Sequence, residues 1–172
     1  YYYCVVSAED AVPVYSIIST VTVTERELQV DVSSGYEYTY QGIIIQEDGN
    51  YRISMITPGA TTGHSIMIAP GVTAELTLDG VSMDKSGVNL SPMVLEAGAE
   101  VTLILEGENA LIADAKGGAI EGVNDVSTAG IAVPEGSALT ISAQSSGSLN
   151  ACGGPYGAGI GGHILSEVDF MD

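Results

Sequence analysis

Hydrophobic and polar residues alternate along much of the chain, and three stretches do so in the same way around a glycine. They are residues 66–78, 93–105 and 131–143, and their glycines are Gly71, Gly98 and Gly136. Five and three residues before each glycine stand Ile66 and Ile68, Met93 and Leu95, Ile131 and Val133. Three, five and seven after it stand Ala74, Leu76 and Leu78, then Val101, Leu103 and Leu105, then Leu139, Ile141 and Ala143. All fifteen positions are apolar, and the residues between them are mostly polar or small. A period of two marks a strand with one buried face. Each stretch therefore predicts two strands joined by a corner: Ala69-Pro70-Gly71, Glu96-Ala97-Gly98 or Pro134-Glu135-Gly136. Proline restricts the backbone at such a corner and glycine frees it.

The glycines stand 27 residues apart (71 to 98) and then 38 (98 to 136). A unit this short cannot bury its own apolar face and must stack on copies of itself. The predicted fold is all-β, a right-handed parallel β-helix (a solenoid) in which equivalent side chains form columns. An antiparallel sandwich would also alternate, but it would not return the same side chains to the same offsets from each corner. Residues 42–172 are expected to form its coils. Ile43, Ile45, Gly49, Tyr51 and Ile53 suggest an earlier coil slightly out of register, and Ala158-Gly159-Ile160 echoes Ala129-Gly130-Ile131. The last coil starts close to residue 172, so truncation at the C-terminal end is expected. The longer interval predicts an inserted loop at 114–130. Residues 17–41, with strand-like 21–24 and 28–32, are expected to form an N-terminal β cap.

Four stretches carry a resemblance. They are Glu47-Asp48-Gly49-Asn50-Tyr51-Arg52-Ile53, Leu76-Thr77-Leu78-Asp79-Gly80-Val81, residues 101–109, and Gly157-Ala158-Gly159-Ile160-Gly161-Gly162. Over residues 17–162 the pattern resembles secreted or cell-surface β-helix repeat proteins of Firmicutes, often labelled carbohydrate-binding-domain-containing proteins. The resemblance implies the β-helix fold, a secreted or wall-attached bacterial location, and a polysaccharide or host-surface glycan as partner. It assigns no catalytic residue.

Composition narrows the function. There are 22 acidic and 4 basic residues, for a net charge of -18, yet 45% of residues are hydrophobic. A disordered acidic tail would be poor in apolar residues. Four cations cannot neutralise a phosphate backbone, which excludes nucleic acid, and they give little hold on anionic lipid. No apolar run approaches the length of a membrane span. Val6-Ser7-Ala8 places small residues where a signal-peptide cleavage site has them. Residues 1–16 are accordingly read as a leader with a signal-peptide remnant, or else as the start of a strand. Cys4 and Cys152 do not make a disulfide framework, and whether they pair does not follow from the sequence.

The candidate chemistry is sparse. Asp79 and Glu106 stand eight residues after their glycines, and Glu75 and Glu100 lie on the same strands. Carboxylates from adjacent coils could share Ca²⁺, which takes oxygen ligands; Asp125 in the loop, beside Asn124, is a second such spot. The other reading of these acids is a solvated face that keeps a long sheet soluble. No other cofactor is implied. Tyr36, Tyr38 and Tyr40 alternate and share a strand face. With Tyr51 they are candidates to stack on sugar rings, or else to cover the end of the core. The glycines of 157–162 fit a dinucleotide fingerprint but lack its strand–helix context, and turn glycines are the simpler reading. His64 and His163 sit in glycine-bounded turns. Arg26, Arg52, Lys85 and Lys116 are scattered, and no tight Asp-Asp pair occurs. The expectation is a non-catalytic extracellular module for adhesion or carbohydrate binding. Its rivals are a polysaccharide lyase or hydrolase completed by further coils, and a purely structural stalk.

Overall fold

The computed structural model describes residues 5–6, 14–15, 26–88, 90–113, 128–154 and 157–162. The strands in chain order are β1 (Val5–Val6), β2 (Val14–Tyr15), β3 (Leu28–Val30), β4 (Tyr36–Thr39), β5 (Gly42–Ile45) and β6 (Gly49–Met55). They continue as β7 (Ser65–Ile68), β8 (Thr73–Asp79), β9 (Ser82–Asp84), β10 (Met93–Leu95) and β11 (Glu100–Glu106). The last are β12 (Glu108–Ile112), β13 (Ile131–Ala132), β14 (Ala138–Ile141), β15 (Ser148–Cys152) and β16 (Ile160–Gly161). The protein is all-β, and its sheets mix parallel and antiparallel strands.

Three sheets carry the repeats. One runs β16-β13-β10-β7-β5-β4, a second β14-β11-β8-β6-β3, and a third β15-β12-β9. Every pairing between repeats is parallel, and the antiparallel ones lie at the start of the chain: β4 on β5, β3 on β6, and β1 with β2. The register is the one the glycine alignment predicts. Met93 lies between Ile66 and Ile131. Val101 lies between Ala74 and Leu139, and Leu103 between Leu76 and Ile141. Ile131 pairs with Ile160. The corner glycines adopt left-handed φ values of 72° at Gly71 and 76° at Gly98. A side chain there is strained by its own Cβ.

Extended parallel sheets usually have helices over both faces. No helix occurs among the described residues, and the strands alternate instead. In β8, Ala74, Leu76 and Leu78 are buried while Thr73 and Glu75 are exposed. The inward residues of all three sheets, including Ile66, Leu76 and Met83, meet in one apolar cluster. The sheets thus cover one another.

The coil suggested around Ile43 to Ile53 pairs in full. Ile43 and Ile45 face Ile66 and Ile68, and Tyr51 and Ile53 face Leu76 and Leu78. Its offset has a simple cause: four residues separate Ile45 from Gly49, whereas six separate Ile68 from Ala74, the partner of Gly49. This corner is two residues shorter. Asp48 sits on it and accepts a hydrogen bond from the Thr73 amide at 2.8 Å.

Of the expected cap, residues 28–32 supply β3, whereas 21–24 lie outside the described residues. So do Cys4, Lys116, His163 and most of the expected loop, including Asn124 and Asp125. The end of that loop differs from expectation. Thr128, Ala129 and Gly130 are buried, and Thr128 accepts a hydrogen bond from the Gly154 amide at 2.8 Å. Two of the 157–162 glycines serve close packing: a Cβ on Gly157 would collide with the Thr128 carbonyl oxygen, and one on Gly159 with the Ala151 carbonyl oxygen.

Candidate functional site

The third sheet was not foreseen, and it holds the core's main buried polar device. Gly107 follows Gly80 by 27 residues, both with left-handed φ. Met83 and Leu111 pair across β9 and β12 and are fully buried. One residue after the strand begins, the inward position is Asn109, also buried. Its Oδ1 accepts from the Val81 amide at 2.9 Å. Its Nδ2 donates to the Glu106 carbonyl at 2.9 Å and the Ser148 carbonyl at 3.2 Å. One side chain therefore satisfies backbone groups of three successive repeats, which makes its burial tolerable. The equal spacing of Gly80 and Gly107 with Gly71 and Gly98 was the available signal.

The outward face of β6, β8 and β11 carries mostly polar residues. Its rows follow from the register: Asn50, Glu75 and Thr102 form one, and Arg52, Thr77 and Ile104 the next. Asp79 and Glu106 are directly paired. Between them reaches Arg52, whose Nη2 donates to Asp79 Oδ2 at 2.8 Å and to Glu106 Oε2 at 2.5 Å. Its Nε lies 4.0 Å from Asp31 Oδ2. The hydrogen bond from Arg52 holds the Glu106 carboxyl below the usual carboxylate range. The same two carboxylates raise the pKa of Arg52. So the structure brings Asp79 and Glu106 together, around an arginine. Glu75 and Glu100 stand apart: Glu75 pairs with Thr102, and Glu100 with Thr73. Among the described residues no group of three metal-ligating side chains converges.

The tyrosines do not form an exposed platform. Tyr36 and Tyr38 pair with Ile45 and Ile43, so they share the inward face and pack on the core. Tyr51 is buried, and its hydroxyl donates toward the carbonyls of Glu47 at 2.7 Å and Gly35 at 3.1 Å. Burial, then Glu47 and Asp48, raises its pKa. Tyr40 alone is open, at 75% exposure. The register explains this outcome: alternation puts Tyr36, Tyr38 and Tyr40 on one face, and the isoleucines opposite make that face the inner one, with Tyr40 beyond its edge.

Tyr38 instead anchors a polar cluster. Its hydroxyl accepts from the amides of Glu27 at 3.0 Å and Leu28 at 3.3 Å. With both lone pairs used, its proton points to His64 Nδ1, 2.9 Å away. The His64 ring meets Tyr38 edge-on, and the Arg26 guanidinium lies 5.1 Å over the Tyr38 ring. Buried Thr62 donates to Glu27 Oε2 and bridges to Met83 of the third sheet. With Nδ1 engaged, His64 works as a tie between the 60–64 segment and the first strands.

No protein-family model, curated protein or solved structure matches this chain. No helix among the described residues is long and apolar enough to cross a membrane.

Proposed function

We propose that the chain folds as a right-handed parallel β-helix with an N-terminal β cap, and that it serves as a non-catalytic module on a bacterial surface or in the secreted fraction, contacting carbohydrate. The observation that carries this reading is the in-register parallel pairing of β6, β8 and β11, which aligns outward amide, hydroxyl and carboxylate groups in rows. Rows repeat at the strand spacing of about 4.8 Å, and they offer the hydroxyls of a glycan several hydrogen-bond partners at once. Asn50, Glu75 and Thr102 are the residues placed to make them. The two carboxylates that pair across strands, Asp79 and Glu106, already hold Arg52.

A glycan array with calcium present or chelated tests the proposal. Saturable binding with no bond cleavage is expected, weakened when Glu75 and Thr102 are both replaced by alanine. New reducing ends or unsaturated sugars would move the protein to the polysaccharide-active enzymes. Binding to nothing would leave the stalk.

A further inference from the structure

A second surface does not follow the polar-outside rule. On the sheet of β5, β7 and β10, the outward residues Ile44, Met67 and Val94 pair with one another and make an apolar row. Leu90, which is half exposed, lies beside this row. Together they form a cleft of about 120 Å³, with Gln41, Ser65 and Ser91 among its polar lining. Lys85 also lines it.

Lys85 is the unusual member. It is 6% exposed, in a chain that carries an excess of acid. Among the described residues no carboxylate pairs with it, and its ammonium donates only to the Gly63 carbonyl. Burial lowers its pKa. A buried ammonium normally has an anionic partner or several acceptors, and among the described residues this one has a single acceptor, the Gly63 carbonyl. An apolar floor beside an under-satisfied cation is complementary to a small molecule with an apolar body and an anionic head.

We propose that this cleft binds a small amphipathic carboxylate, such as a short-chain fatty acid or an aromatic acid, with Lys85 as the charge partner and Ile44, Met67 and Val94 as the floor. The site lies on a different sheet from the proposed glycan face and stands independently of that reading.

The test follows the side-chain methyl resonances of Ile44 and Met67 in the full chain during titration with benzoate, with butyrate, and with uncharged benzyl alcohol. Saturable shifts are expected for the two acids, and binding of benzyl alcohol is expected to be at least about tenfold weaker, the loss of one charged hydrogen bond. Lys85→Met should weaken benzoate similarly, and Lys85→Arg should keep most of the affinity. The benzyl alcohol comparison needs no variant, so it decides even if Lys85→Met unfolds. Unshifted methyls up to about 10 mM acid, or equal binding of the acid and the alcohol, would overturn the proposal.

Discussion

Leu103 and Ile141 occupy equivalent places in the repeat and are directly paired. Leu103 is fully buried and Ile141 is 48% exposed. The contrast runs through both regions. The inward residues of β8 and β11 are buried, whereas β14 follows them in register with Leu139 only partly covered. Pairing is thus decided locally by the alternation around each glycine. Burial follows whether another strand lies on the far side: β11 has neighbours on both edges, and among the described residues β14 has one on one edge. Stability in a stacked array depends on neighbours in this way.

The sharpest way to break the comparison is Leu103→Asp. It puts a charge into the middle of an apolar column and should cost about 4 kcal/mol or more. Ile141→Asp, at the exposed end of the same column, should cost far less; equal urea midpoints for the two would show that the two positions do not differ in burial. Next in size is Asn109→Leu. It keeps the branched shape in a somewhat larger side chain but strands the Val81 amide and two carbonyls, for a loss of about 2 kcal/mol, read by urea denaturation. Ile141→Ala should lie within about 1 kcal/mol, well under the roughly 2–5 kcal/mol expected for Leu103→Ala.

The smallest effect is electrostatic. Glu106 has a lowered folded pKa, caused first by its hydrogen bond from Arg52. The stabilisation from this ion pair is therefore present above the ordinary carboxylate pKa, and it is lost as pH falls through the lowered folded value. Arg52→Gln should flatten this acid-side loss, measured as urea midpoints from about pH 6 to pH 3. An unchanged slope would mean that the pair is screened at the surface.

Much of the fold was legible because period-2 alternation and corner glycines are local signals. They gave the strand positions and the register of Ile66, Met93 and Ile131 directly. The third sheet was missed because its inward residues differ in kind from repeat to repeat: Met83, Leu111, Ala151, and Asn109 next to them. The polar sites were harder. Tyr36 and Tyr38 were placed on one face correctly, but which face was inner depended on Ile43 and Ile45 across the hairpin. The Arg52 cluster joins residues 27 and 54 positions apart, and Thr62 reaches Glu27 across 35. Contacts of that span depend on how the sheets are arranged, which alternation alone does not encode.

The 27-residue interval has a consequence for how such a chain can change length. Residues 72–98 contain one strand from each sheet, β8, β9 and β10. Excising all 27 would join Gly71 to Ala99 and set β11 against β6, with Leu103 facing Tyr51, Leu105 facing Ile53, and Glu106 in the place of Asp79. Removing 26, with the missing residue taken from within β11, would exchange the two faces of that strand. A whole period can therefore be removed without changing which residues face inward, a single residue added within a strand cannot, and length that is not a whole period is taken up between strands, as in the 38-residue interval from Gly98 to Gly136.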